Sequence, residues 1–350
     1  MVRRLWEHML LSPGEVQPSR EDYEVVGVFN PGAVATPDGV RFLLRVAEQP
    51  RERRPGMVGL PRWHDGGLEV DWAAETDVVF VDPRVVRMRD SGNVRLTFAS
   101  HLLVAASRGG RTIDAISDVR LLPESELEEF GVEDPRLTRL NDRYYLTYVT
   151  VSRHGAATAL ASTRDFATFE RHGIIFPPEN KDVVLFPERI GGRYAALHRP
   201  NPATHFHPPE IWLGWSSDLR NWGEHQPLSF EPVEWESGRV GAGVPPIRTK
   251  EGWLEIYHGN QRPERPGEVG QYTAGALLLD LQSPATVLKR TREPILLPQA
   301  GYEIQGFVPG VVFPTAAVDC GETLLLYCGA ADTSTAVVEI SWKEIWEAMG

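Results

Sequence analysis

An all-β fold built from repeated antiparallel units is predicted by three features of this 350-residue chain. Glycine and proline are frequent, at 32 and 28 residues, and scattered, as expected where many short strands meet at turns. An apolar strand opener recurs as FNPGAVA, VDPRVVRM, EDPRLTRL, VVLFPERI, VGAGVPPIR and VVFPTAAV. Each opener is followed by a turn of Asp, Asn or Gly and then an alternating strand: PDG before RFLLRVA, LNDR before YYLTYVT, DCGE before TLLLYCG. Units of about 40–60 residues with three or four strands each read as a β-propeller, whose units bury their faces by stacking around a channel. Six openers are visible, so periodicity alone allows a sixth unit.

Taken in order, the N-terminal MVRRLWEHMLLSPGE has a basic start, few apolar residues and no small-residue cleavage site. It reads as a short docking helix and not a signal peptide. Segment 47–76 is the least regular, and its QPRERRPG piece reads as a solvated or rim loop. Segment 77–107 reads as an extra unit whose His101 reaches toward the site. Several units add a third strand that runs into an Asp-capped turn tagged by an aromatic, as in TALASTRDFATF and IWLGWSSDLRNW. Over 340–350, SWKEIWEAMG sets Ile345, Trp346 and Met349 on one helical face, predicting a helix docked on the outside. No low-complexity linker interrupts the chain, so residues 1–350 are expected to form one domain around a central cavity.

A net charge of −12 argues against nucleic acid and against anionic membrane surfaces. No apolar run approaches the roughly 20 residues of a spanning helix. Two cysteines, Cys320 and Cys328, imply no disulfide framework and point to a reducing cytoplasm. His205 and His207 lack further ligands at metal spacing, and VGAGVPP lacks the Lys-Ser/Thr of a P-loop, so no metal and no nucleotide is expected. A homo-oligomer is left open.

Inside this acidic chain one stretch gathers cations behind one acid. Asp134 of GVEDPR is followed by Arg153, His154, Arg171, His172, Lys181, His198 and Arg199. Pro135 biases Asp134 toward an extended conformation. A rigid, partly desolvated carboxylate there would have a raised pKa and serve as a proton donor; the plainer reading is an Asp paired with Arg136 or capping a turn. VDPR at 81–84 repeats the tripeptide, so DPR is also a simple turn signature. Arg153, Arg171 and Lys181 fall in successive segments, and their convergence would bind a dianion; the plainer reading is three separate surface charges, or a local Lys181–Asp182 pair. His198-Arg199 and Tyr257-His258 end second strands in consecutive units, and the CGAAD run to Asp332 holds that place in the last. All are candidates to face one cavity.

These residues resemble glycoside hydrolase family 130, the β-mannoside phosphorylases and related mannosidases. The resemblance is carried by GVEDPRLTRLNDRYYLTYV, SRHG, TRDFATFERHG, ENKDVVLFPERIGGRYAALHRP, IWLGWSSDLRNWG and GAGVPPI, and it extends to FNPGAV and LLLYCGAAD. It implies a five-bladed β-propeller. It also implies that Asp134 is the general acid, passing its proton through a hydroxyl of the bound mannose. Asn30, Arg45 and Asp332 would hold the mannosyl unit. Arg153, Arg171 and Lys181 would bind phosphate, with His154, Asp182, His198, Arg199, Tyr257 and His258 around the same pocket. Pro31 after Asn30 departs from the simplest pattern, so a side-chain contact from Asn30 is not assumed.

An inverting reaction needs an acid on one face of the sugar ring and a nucleophile on the other. Water needs a carboxylate base, whereas phosphate needs only positioning and charge balance. One acid with at least three cations therefore predicts phosphorolysis of a terminal β-mannoside to α-mannose 1-phosphate, with inorganic phosphate as co-substrate. The alternative is a β-mannosidase using Glu210 or Glu303 as base. A non-catalytic lectin would repeat one sugar motif in every unit, and here each unit carries different polar residues.

Overall fold

A computed structural model describes residues 2–202, 206–263, 265 and 267–350, and nearly all of their regular structure is antiparallel strand. His205 lies outside the described residues. Twenty of the strands fall into five groups of four. The first comprises Tyr23–Thr36, Gly39–Pro50, Ala99–Ser107 and Ala115–Leu121. The second is Gly131–Leu140, Arg143–Ser152, Gly155–Thr163 and Glu170–Phe176. A single parallel pair, Gly131 with Ser100, joins these two into one eight-stranded sheet. The third is Asn180–Leu185, Tyr194–Pro200, Trp212–Ser216 and Trp222–Pro227. The fourth is Arg239–Ala242, Trp253–Asn260, Tyr272–Leu279 and Val287–Arg290, with Ile247–Arg248 beside its second strand. The fifth is Val312–Asp319, Thr323–Ala330 and Ser334–Ser341, completed by the N-terminal Arg4–Leu11.

The N-terminal segment is therefore a strand and not the expected helix. Eight residues are too few to hold a helix unaided, whereas the free edge of Ser334–Ser341 offers them a ladder of backbone partners. Segment 77–107 is likewise not an extra unit. Its second half, Ala99–Ser107, is the third strand of the first group, and its first half is an insertion. The insertion is a small sheet of Val78–Asp82, Val85–Met88 and Val94–Leu96, beside a hairpin of Met57–His64 and Gly67–Ala74. These short strands pair only among themselves, over a satellite cluster of Leu60, Val78 and Val86.

Apolar side chains alternate along the long strands, and the buried sets of consecutive groups meet. Leu43, Val104, Val132 and Leu146 pack between the first and second groups, and Leu160, Phe176, Val183 and Leu185 between the second and third. Val184, Leu213, Val240 and Trp253 lie between the third and fourth, and Leu254, Ile256, Val312 and Leu326 between the fourth and fifth. Phe42, Leu44, Leu325 and Tyr327 join the fifth group to the first. The C-terminal helix Trp342–Met349 adds Ile345 and Met349 to the fourth-to-fifth cluster; burying each such side chain stabilises by about 2 kcal/mol. The capped turns hold as well. Asp165 accepts the N–H groups of Ala167 and Thr168, and Asp218 those of Arg220 and Asn221. The residues after the two aspartates, Phe166 and Leu219, are left-handed and buried.

Candidate active site

The first strands of the first three groups are bent at the same place by the same device. Register slips between Phe29 and Gly32, between Glu133 and Arg136, and between Lys181 and Val184. In each slip sits an Asn or Asp in the left-handed region: Asn30 at φ 47°, Asp134 at 47° and Asp182 at 55°. Short polar side chains tolerate this conformation best, and a bulge turns the side chain out of the sheet's alternation. All three line one cavity of about 190 Å³. The expectation of an extended Asp134 is thus replaced by a bulge conformation, and Pro31 does not prevent Asn30 from reaching the site.

Strand alternation selects the next set. Arg45, Arg199 and His258 line the cavity from the second strands of their groups. Their neighbours His198 and Tyr257, expected beside them, point the other way because adjacent residues on a strand face opposite sides. His198 is stacked on Phe176, 4.6 Å between ring centres, and hydrogen-bonds Asn180 and His225. Tyr257 is fully buried, its hydroxyl held between Glu236 and Arg290. His101 is also withdrawn, packed with Glu48 at 3.7 Å and Arg120 at 2.6 Å.

The cavity has two chemically distinct sides. On the side of the first, second and fifth groups, Asp134 Oδ1 accepts from Asn30 Nδ2 and from Arg45 Nη1, each at 2.8 Å. Arg45 Nη2 donates to Glu133 at 2.6 Å. Among the described residues no hydrogen bond reaches Asp134 Oδ2. Asp332 enters from the end of Thr323–Ala330 and accepts from Arg84 Nη1 at 3.1 Å. Phe98 and Val308 supply apolar wall. Behind Asp134, Arg136 ties two groups together, donating to Gly243 O at 2.7 Å and to the carbonyl of Asp134 itself at 3.0 Å.

On the side of the third and fourth groups, Arg199 donates to Asp182 at 2.6 Å, and His258 Nε2 stands 3.4 Å from the same carboxylate. Gly241 makes this approach possible, since a Cβ there would collide with the Asp182 carboxylate and the His258 ring. Lys181 and Arg239 complete this side. Among the described residues they are the cavity's two cations with no carboxylate partner, and the buried Nε of Arg239 has no hydrogen bond. Tyr272 and Phe313 close the wall.

The electrostatics follow from these contacts. Burial acts to raise the Asp134 carboxyl, but Arg45, Arg136, Asn30 and Lys181 outweigh it and hold the group below the usual carboxylate range. The expected raised pKa is corrected: these partners lower it, and Asp134 is ionised at neutral pH. Asp182 behaves alike, its burial outweighed by Arg199, His258 and Arg136. Asp332 is the opposite case. Burial raises it, and the nearby Asp134 adds to the rise against Arg84 and Arg45.

Several sequence candidates are not brought to this cavity. Arg153 forms a fork on Glu129, at 2.8 and 2.7 Å, and lines a separate cleft with His154. Arg171 pairs with Glu128 at 2.8 Å and with the carbonyl of Leu122. The expected three-cation cluster is therefore corrected: Arg153 and Arg171 are held away by Glu129 and Glu128, and the cations that line the cavity on this side are Lys181, Arg199 and Arg239, with the His258 ring, whose pKa burial lowers, beside them. Glu210 faces His207 at 3.8 Å, and Glu303 is buried against Arg4 at 2.9 Å, so neither reaches the cavity. Sequence reasoning missed Arg239, Glu133 and Arg84. Glu133 was legible, since it precedes a bulge residue just as Lys181 does. Arg239 stands two residues before Gly241, on the same strand face. Among the described residues no group of three or more His, Cys, Asp or Glu is arranged to hold a metal ion.

Comparison with known proteins places this geometry. The family model described as beta-1,4-mannooligosaccharide phosphorylase, Glyco_hydro_130, matches residues 85–350. A beta-1,2-mannobiose phosphorylase of Listeria innocua is 41% identical over 98% of this chain and 97% of its own length. A 1,2-beta-oligomannan phosphorylase of Thermoanaerobacter is 37% identical over 71% of this chain and 81% of its own. The solved structure of the Listeria innocua beta-1,2-mannobiose phosphorylase in complex with beta-1,2-mannobiose superposes with a TM-score of 0.91, over 97% of this chain and 96% of that one.

Proposed function

The chain belongs to glycoside hydrolase family 130, and from that premise we propose that it is an inverting phosphorylase of terminal β-mannosides, with β-1,2-linked mannobiose as its substrate class. The observation that carries this reading is the presence of two unpaired cations, Lys181 and Arg239, in the same cavity as Asp134. Both are half-buried and lack a carboxylate partner among the described residues, and a phosphate dianion is the partner that four donors converging in this way would take. Arg199 and His258 complete that set. Asn30, Arg45 and Asp332 hold the mannosyl ring on the other side. The β-1,2 linkage is supported by the names of the two relatives above.

In this reading phosphate oxygen attacks the anomeric carbon as the bond to the leaving sugar breaks, so β configuration becomes α. Asp134 supplies a proton to a mannose hydroxyl, which passes its own to the departing oxygen. Overall, the hydrogen of hydrogen phosphate appears on the released sugar, and mannose 1-phosphate leaves as the dianion. The ionised resting state of Asp134 fits this order of events. Phosphate bound among Lys181, Arg239 and Arg199 would cancel part of the field that keeps Asp134 deprotonated and add negative charge, raising its pKa. A hydrolase is less well supported. The cavity carboxylates are each engaged by a guanidinium, and Glu210 and Glu303 lie elsewhere.

The scaffold we infer is a single five-bladed propeller over residues 1–350, supported by five four-strand groups with a core cluster between each consecutive pair. The C-terminal helix caps its outside. Two free thiols, Cys320 and Cys328, fit a reducing cytoplasm. The test of function is incubation of β-1,2- and β-1,4-mannobiose with and without phosphate, followed by phosphorus and proton NMR. The expected product is α-mannose 1-phosphate, formed only with phosphate. Mannose release at an equal rate in phosphate-free buffer would make the enzyme a mannosidase.

A further inference from the structure

The inserted sheet that fits no repeat unit carries a residue into the cavity. Its tight turn, Asp82-Pro83-Arg84, looks like a local ion pair, and in part it is. The backbone N–H of Arg84 donates to Asp82 Oδ1 at 2.8 Å, and Nη2 donates to Asp82 Oδ2 at 3.0 Å. That fork fixes the guanidinium to its own turn. The remaining Nη1 crosses to Asp332, 248 residues away, at 3.1 Å. Among the described residues Arg84 is the one hydrogen-bond donor to the Asp332 side chain. Val85 and Leu96 of the same sheet line the cavity beside it.

We propose that Arg84 is a positioning residue for the sugar side of the cavity: its guanidinium, fixed to its own turn, aims the Asp332 carboxylate at the bound glycoside, so that sugar binding depends on the docked insertion. This rests on the reading of that side as the mannosyl site. Asp332 and Ala331 are both left-handed, at φ 49° each. Their backbone is pinned by Ala331 N–H to Val311 O at 3.0 Å and Val308 N–H to Ala331 O at 2.9 Å. Backbone position is thus set by the fifth group, and side-chain orientation by a guanidinium from elsewhere.

The charged and titratable groups around Asp332 are Arg45 from Gly39–Pro50, Asp134 from Gly131–Leu140, and Arg84 with Asp82 from the insertion; Tyr272 lies near Arg84. Burial and Asp134 both favour the protonated acid, and Arg84 and Arg45 oppose them. Removing Arg84 takes away the larger opposing charge. A protonated Asp332 donates where an acceptor is needed, so the sugar hydroxyl that should donate to it loses its partner.

The sign of the effect is fixed by this arrangement. An opposite charge in contact lowers a carboxylate pKa by roughly 1–3 units. In Arg84→Gln the acidic limb of kcat/KM for mannoside should move up by about 1–2 pH units, with KM for the sugar raised at least roughly tenfold and KM for phosphate nearly unchanged. Arg84→Lys keeps a charge and should return most of the pH shift. In an Asp332→Asn background the Arg84→Gln change should move neither limb nor KM further. Titration of carboxyl-¹³C aspartate by NMR, with Asp332 assigned from the Asp332→Asn spectrum, reads the same shift without turnover. An Asp332 resonance that titrates alike in wild type and Arg84→Gln would overturn the proposal. So would a KM effect that is the same in Arg84→Lys and Arg84→Gln and adds fully to Asp332→Asn. Absence of phosphate-dependent turnover in the wild type would instead remove the mannoside reading, while the NMR titration would still decide the link between Arg84 and Asp332.

Discussion

Lys181→Met separates the cavity cations from those that only the sequence placed beside Asp134. Lys181 lines the cavity and has no carboxylate partner among the described residues, so its removal leaves no buried anion unpaired. The cost then falls on the ligand. A hydrogen bond to a charged group contributes about 1.5–3 kcal/mol, which corresponds to roughly a 10- to 150-fold rise in KM for phosphate. Coulomb attraction at an effective dielectric of about 20 and a separation of about 4 Å bounds the loss near 4 kcal/mol per unit charge. KM for mannoside should change less than about threefold, because the sugar contacts lie on the other groups. The assay is the initial rate of mannose 1-phosphate formation against phosphate, at saturating mannoside and constant ionic strength, since screening would otherwise mimic the effect. Arg153→Met is the matched control. Its guanidinium is held by Glu129 in a separate cleft, so KM for phosphate should stay within about twofold. An unchanged KM in Lys181→Met, or an equal rise in Arg153→Met, would refute the assignment of the anion site.

Three further outcomes are expected. Asp134→Asn should lower kcat by roughly 10²–10⁴, the range for loss of a general acid, while circular dichroism and the unfolding midpoint stay near wild type because Arg45 retains Glu133; a fall below tenfold in kcat would argue against the acid role. Asp182→Asn should cost about 3–5 kcal/mol in urea unfolding, because it strands the buried Arg199. The third outcome concerns pH. Burial lowers His198 to about 3, aided by His225, and lowers His101 to about 3, aided by Arg120. The unfolded chain then binds more protons than the folded one between pH 6.5 and 3, so the stability from each buried neutral ring is full above pH 6.5 and declines below it. The loss should be about 2 kcal/mol per histidine by pH 5, and His198→Asn should flatten the urea midpoint between pH 6.5 and 5; an unaltered slope would contradict it.

The strand units were legible because turn chemistry and alternation are local, and EDPR, NKD and FNPG carry their bulges on their face. What alternation also implies, that only one of His198 and Arg199, and one of Tyr257 and His258, can face the cavity, needed the register, which a single sequence does not supply. The fate of Arg153 and Arg171 was hidden for a different reason. Which carboxylate a guanidinium meets is a tertiary matter, and Glu128 and Glu129, inside the run ELEEF, give no sign that their side chains turn inward. The N-terminal strand was misread because its partner, Ser334–Ser341, lies more than 300 residues away. In the sequence Arg84 belongs to a DPR turn signature, and no local pattern links it to Asp332.

A single electrostatic circumstance ties the acid to the choice of nucleophile. The proposed donor is deprotonated because Arg45, Arg136, Asn30 and Lys181 outweigh its burial. Water arriving alone would change none of those charges, so it would meet the proposed acid deprotonated and, among the described residues, every cavity carboxylate engaged by a guanidinium. A phosphate dianion does what water cannot. Under the proposed assignment it would supply the nucleophile, pair with Lys181 and Arg239, and weaken the part of the field on Asp134 that Lys181 supplies. In the proposed site, phosphorolysis over hydrolysis then follows from charge balance, without any steric barrier to water, because Lys181 belongs both to the anion site and to the field that ionises Asp134, with Arg45 and Arg136 supplying the rest of that field.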